Sequence, residues 1–131
     1  MISALYVVLG ALFLIKFSID IIKLRTQYQI AFGDGGFYEL QTAIRVHGNA
    51  VEYIPIALLL LLVMEMNGAE VWMLHICGVM LFAGRIIHYF GLHRRDVSWR
   101  RSGMGATFIA LFLMVIINLY YLPWDQMFSF Y

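Results

Sequence analysis

The sequence predicts an all-α membrane protein, with one domain over residues 1–131 that forms a bundle of four transmembrane helices. First, 63% of the residues are hydrophobic and 13% are charged, whereas water-soluble domains contain roughly 25% charged residues. Second, four apolar runs each reach the ~20 residues that a helix needs to cross a bilayer. Third, the basic residues are concentrated near the ends of these runs. Because so few charges cannot cover a soluble domain, most of the surface is expected to face lipid.

The first helix is predicted over residues 2–22. Its apolar run has no basic segment before it and no small-residue cleavage site after it, and a secretory signal would require both. We therefore expect this helix to be retained. Lys16 and Asp20 are four residues apart and are expected to form a pair along the helix surface. Lys23 and Arg25 follow the apolar run.

The second helix is predicted over residues 43–66 and contains several polar side chains. At about 100° per residue, Arg45, Asn49 and Glu52 fall within roughly 60° of one another, with Glu52 about 10 Å deeper than Arg45. A charged side chain at the centre of a spanning helix costs roughly 2.5–3.5 kcal/mol. This polar stripe is therefore expected to face a partner or a ligand and not lipid.

The third and fourth helices are predicted over residues 71–92 and 104–122, with a basic stretch between them. Arg85 and His88 are three residues apart, so they occupy neighbouring positions on one face of the third helix. Cytoplasmic loops retain Lys and Arg. Since the cations fall in the first and third connections, these two loops are predicted to be cytoplasmic and both termini to lie outside.

Charge and cysteine content exclude several functions. A net charge of +1 with neutral histidines gives no strong field for a polyanion, so no nucleic-acid partner is expected. The one cysteine, Cys77, lies inside an apolar run. Neither an intramolecular disulfide nor a Cys/His metal site is therefore predicted.

The residues alone leave two interpretations of the polar groups at membrane depth. In one, they only satisfy one another and fix helix packing, with Glu52 neutralised by Arg85 or Arg45 of a neighbouring helix. In the other, they surround a polar ligand that enters from the cytoplasmic side. Composition does not separate these interpretations.

The run RVHGNAVE at residues 45–52 resembles the R-x-H-x-N-x-x-E signature of the MAPEG family, the membrane-associated proteins in eicosanoid and glutathione metabolism. The segment from Arg85 to His88 and the later pair Arg101 and Ser102 fall at spacings similar to those in glutathione-using members. The resemblance spans nearly the whole chain and is greatest to the short bacterial inner-membrane branch.

This resemblance implies a homotrimer in the bacterial inner membrane that binds glutathione as a co-substrate between adjacent subunits, near the cytoplasmic face. It implies that Glu52 accepts the ammonium of the γ-glutamyl group and that Arg45 and Asn49 organise the site. Arg85 and His88 would contact the tripeptide. These roles suit the ligand, because guanidinium groups bind its two carboxylates and an acid binds its ammonium.

The resemblance also implies which residues act on the sulfur. Arg101 would lie beside the thiol and favour the thiolate, with Ser102 forming a hydrogen bond nearby. The basic residue that closes the first helix in the family would be Lys23 or Arg25. Some members have a tyrosine one turn after the third-helix histidine, where this chain has leucine, and Tyr89 is a candidate substitute.

We therefore expect a glutathione-dependent membrane enzyme that transfers the thiolate to a lipophilic electrophile dissolved in the bilayer. A peroxidase or an isomerase at the same site is equally compatible with the residues. One alternative is a small proton-coupled transporter with Glu52 as its proton site, although Arg45 and Arg85 would disfavour a lipophilic cation. Another is a non-catalytic membrane scaffold whose buried charges hold the oligomer together.

Overall fold

The computed structural model describes residues 1–129, which contain five helices and no strand. The helices are α1 (Ser3–Tyr28), α2 (Tyr38–Met66), α3 (Val71–His93), α4 (Val97–Tyr121) and the short α5 (Trp124–Met127). Helices α1 to α4 are each long and apolar enough to cross a membrane. The predicted fold class, an all-α membrane protein with four spanning helices, is confirmed.

Three of the helices extend beyond the apolar runs at the end of the bundle where the cations lie. Helix α1 continues to Tyr28, and α2 begins at Tyr38 instead of residue 43. Helix α4 begins at Val97 instead of residue 104. These extra turns are polar, so hydropathy does not detect them, and helical hydrogen bonds continue into the interfacial region.

The start of α4 is fixed by Asp96, whose carboxylate accepts hydrogen bonds from the backbone N–H groups of Ser98 at 3.0 Å and Trp99 at 3.4 Å. An acidic side chain in this position satisfies N–H groups that have no partner within the helix. Most of the basic stretch predicted as a loop therefore forms the first turns of α4. Arg101 and Ser102 consequently lie on a helix.

Helices α3 and α4 pack with their backbones close together, and glycines permit this approach. A Cβ atom on Gly103 would lie 2.5 Å from the backbone nitrogen of His88, and one on Gly91 would lie 2.5 Å from the backbone nitrogen of Arg100. Real Cβ contacts are essentially never this short. The two glycines thus set how closely His88 and Arg100 approach each other.

The opposite end of the bundle is closed by Glu65, at the end of α2. Its carboxylate accepts hydrogen bonds from the Ser3 hydroxyl, from the Ser3 backbone N–H at 3.1 Å and from the Ile2 backbone N–H. Helix α1 has no capping side chain of its own. Glu65 therefore caps α1 from a neighbouring helix.

The outward faces of the bundle are apolar, as expected for a surface in contact with lipid. Val8 and Leu12 on α1 and Ile109 and Ile116 on α4 are all more than half exposed. On α1, the predicted pair of Lys16 and Asp20 is confirmed, with Nζ and Oδ2 2.7 Å apart.

Candidate functional site

A polar groove between α2, α3 and α4 opens near the end of the bundle where the cations lie. It has a volume of about 300 Å³. Its lining residues are Arg45, Gly48, Asn49, Glu52, His88, Leu92 and Arg100. A second cavity of about 260 Å³ shares Arg45, Leu92 and Arg100 with it and extends to the α3–α4 connection. The two cavities together form one path from the polar end of the bundle towards Glu52.

The polar stripe predicted on α2 lines this groove. Arg45, Asn49 and Glu52 are separated by four and three residues, so helical geometry places them on one face. Arg45 and Glu52 are exposed and Asn49 is half-buried. Within residues 1–129 the ion pair formed is that of Lys16 with Asp20, so neither Arg45 nor Arg85 neutralises Glu52 inside the chain.

His88 of α3 reaches the groove from the opposite side and is only 5% exposed. It lies one turn from Arg85 on the same helix, as the sequence predicted. The close approach at Gly91 and Gly103 brings His88 towards Arg100 of α4. The groove therefore combines two guanidinium groups, an amide, an imidazole and a carboxylate.

Arg85 does not line the groove in this chain, although the family resemblance implies that it contacts the ligand. It is 3% exposed, and its Nε and Nη2 donate to the Thr107 hydroxyl at 3.1 and 2.8 Å. Its Nη1 donates to Oδ1 of Asn49. The ring of Tyr53 lies 5.6 Å from its guanidinium carbon. Arg85 thus connects α2, α3 and α4 beneath the groove.

Arg100, which the sequence analysis did not assign to the site, lines the groove, whereas Arg101 and Ser102 are exposed and do not line it within this chain. Successive residues on a helix point about 100° apart, so only one of two adjacent arginines faces a given neighbour. Choosing between them requires knowing that α4 begins at Val97, which the apolar pattern does not reveal.

Lys23 and Arg25, the two candidates at the end of α1, lie in different surroundings. Arg25 donates to the backbone oxygens of Gly33 at 2.8 Å and Ile30 at 3.4 Å, which secures the α1–α2 connection. Lys23 and Tyr89 instead line a separate cleft of about 680 Å³ between α1, α2 and α3. Within one chain, neither Lys23 nor Tyr89 therefore reaches the polar groove.

The groove can hold a ligand that carries both signs of charge. Arg45 and Arg100 provide fixed positive charges for carboxylates, and Glu52 provides an acceptor for an ammonium group. No cluster of three or more His, Cys, Asp or Glu side chains suited to a metal occurs in residues 1–129. The arrangement favours binding of a small zwitterionic or peptidic molecule.

Comparison with known proteins identifies the family to which this chain belongs. The MAPEG family model matches residues 3–120. The inner membrane protein YecN of Escherichia coli K12 is 66% identical over 129 residues, which cover 98% of each of the two chains. YecN of Escherichia coli O6:H1 has the same identity and coverage. The resemblance seen in the sequence is confirmed, and the chain belongs to the MAPEG family.

Proposed function

We propose that this protein is a glutathione-dependent membrane enzyme that transfers the glutathione thiolate to a lipophilic electrophile. The observation that carries the proposal is the polar groove, where Arg45 and Arg100 lie with Glu52, which forms no ion pair within residues 1–129. Glutathione has two carboxylates and one ammonium group, which these side chains complement in number and sign. Family membership and the path from the polar end of the bundle support the same ligand.

In the proposed reaction, the sulfur of glutathione is deprotonated and attacks the electrophilic carbon of a lipid-soluble molecule. A carbon–sulfur bond forms, and either the leaving group departs or a π bond of the electrophile opens. An adjacent guanidinium lowers the cost of the thiolate, and exclusion of water by the helices strengthens this effect. Reduction of a lipophilic peroxide would use the same thiolate. Its attack on one peroxide oxygen would break the O–O bond, release an alcohol and form a sulfenic acid, which a second glutathione would convert to the disulfide and water.

The arginine beside the sulfur is either Arg100 or Arg101, and the two make a matched pair for a test. The groove favours Arg100, whereas spacing in the family signature favours Arg101. We expect Arg100→Ala to abolish the ultraviolet absorbance of the thiolate of bound glutathione and Arg101→Ala to retain it. The reverse result would assign the role to Arg101 and require that it reach the site from a neighbouring subunit.

We also propose that the protein is a homotrimer of the inner membrane, with its termini periplasmic and its first and third connections cytoplasmic. The family resemblance supports the trimer, and the name of the Escherichia coli relatives supports the membrane. The cations near the ends of α1 and α3 and the starts of α2 and α4 support the orientation. Cysteine labelling at Gly36 and at Ser129 in intact cells tests the orientation, because only position 129 should react with an impermeant reagent.

The binding proposal is tested by calorimetric titration of the detergent-purified protein with glutathione. Saturable heat is expected for the unaltered protein and a large loss of affinity for Glu52→Gln. Glu70→Gln, at the opposite end of the bundle, is the control and should leave the affinity unchanged. If the unaltered protein gives no saturable heat, glutathione binding is excluded. Efflux driven by a proton gradient and lost in Glu52→Gln would instead support a transporter.

A further inference from the structure

A network of hydrogen bonds centred on Arg85 of α3 joins α4 to the polar groove. The hydroxyl of Thr107 donates to the backbone oxygen of Gly103 at 2.9 Å. The same oxygen of Thr107 accepts from Nε and Nη2 of Arg85 at 3.1 and 2.8 Å. Nη1 of Arg85 then donates to Oδ1 of Asn49. Asn49 is the member of this hydrogen-bond network that lines the groove.

Arg85 is the donor in its bonds to both Thr107 and Asn49, and this follows from its chemistry. A guanidinium has five N–H donors and no acceptor, and it remains charged in proteins. Only the oxygen of an asparagine amide can therefore face Arg85. The other half of the amide carries two N–H donors. Since Asn49 lines the groove and its oxygen is held by Arg85, these donors are the part of the amide left for a ligand.

We propose that Arg85 is a positioning residue that turns the Asn49 amide so that its N–H groups bind a carboxylate or carbonyl oxygen of the ligand. This inference rests on the proposed function, in which glutathione occupies the groove. By this inference, Asn49 binds the anionic part of the ligand and Glu52 binds the ammonium group. Arg85 itself acts without touching the ligand.

Within the described part of the chain no acid pairs with Arg85, which supports this role over simple packing. Arg85 is 3% exposed and forms no ion pair within residues 1–129, although buried charges are normally paired. An aspartate at position 49 would satisfy Arg85 more strongly than the amide does. It would also place a second negative charge in the groove beside Glu52. An amide at this position therefore suits a groove that receives an anion.

The experiment uses Asn49→Asp in the full-length protein, purified in detergent, with glutathione titration and thermal unfolding measured on the same sample. The new carboxylate accepts from Arg85, so the unfolding temperature should stay the same or rise. Its second oxygen faces the groove and repels the ligand carboxylate. We expect the affinity for glutathione to fall at least tenfold, the loss expected when a hydrogen bond to a charged group is replaced by repulsion.

Asn118→Asp is the matched control. Asn118 is a buried asparagine, and its N–H₂ group donates to the backbone oxygens of Leu60 at 3.0 Å and Met114 at 2.7 Å. An aspartate cannot donate these bonds, and it would place a negative charge against two backbone oxygens. The unfolding temperature should therefore fall, while the affinity of the folded protein for glutathione should not change.

The outcomes separate this inference from the proposed function. If the unaltered protein binds glutathione and Asn49→Asp binds it equally well, the inference fails and the proposed function stands. If the unaltered protein does not bind glutathione, the proposed function fails, and the unfolding temperature still tests the orientation of the amide. A lower unfolding temperature for Asn49→Asp than for the unaltered protein overturns the inference in either case.

Discussion

The substitution Gly103→Ala tests how the approach of α3 and α4 shapes the polar groove. The added Cβ would lie 2.5 Å from the His88 nitrogen and 2.7 Å from both the His88 Cα and the Gly84 oxygen. All three are backbone atoms, so no side-chain rotation relieves the contact. Ordinary van der Waals contact begins at 3.4 Å, so the helices must separate by about 1 Å, which costs ~1–3 kcal/mol when a packed interface is overfilled.

Gly105→Ala is the control because it makes the same change on the same helix. A Cβ at Gly105 meets nothing within 4 Å, so the higher helix propensity of alanine should make this variant equal or more stable, by up to ~1 kcal/mol. The assay is unfolding in mixed detergent micelles, with glutathione affinity measured on the folded protein. Gly103→Ala should lose both stability and affinity, because Arg100 moves relative to His88. Equal stability of the two variants would refute the close approach.

Three further predictions concern stability, each measured by unfolding in mixed micelles. Asp96→Ala removes the cap of α4 and should cost ~0.5–2 kcal/mol, whereas Asp96→Asn keeps an acceptor and should cost less; equal losses would contradict the cap. Glu65→Ala removes three hydrogen bonds from the start of α1 and should lower the free energy of unfolding by ~2 kcal/mol. Glu65→Gln keeps one oxygen acceptor, so its stability should lie between those of the unaltered protein and Glu65→Ala. Lys16→Ala breaks an exposed pair with Asp20 and should change the free energy of unfolding by less than ~0.5 kcal/mol; a loss above 1 kcal/mol would show that the pair has a larger role.

The candidate site shows which side-chain positions can be predicted from helical spacing in the sequence. Arg45, Asn49 and Glu52 share one continuous helix, so their spacing in the sequence predicts that they lie on one face. Arg85 and His88 are also on one helix, yet only His88 lines the groove. Helical spacing gives the relative direction of two side chains, but the depth of each depends on how closely the next helix packs.

The sequence by itself determined the number of spanning helices, the family and the polar stripe on α2, because each depends on residues close together in the chain. The tertiary structure alone decided that Arg100 faces the groove, since this requires the capped start of α4 and its glycine contacts with α3. It also decided that Arg85 lies beneath the groove, bound to Thr107 and Asn49. These contacts join residues on different helices, and their positions follow from packing between helices and not from the pattern along any one of them.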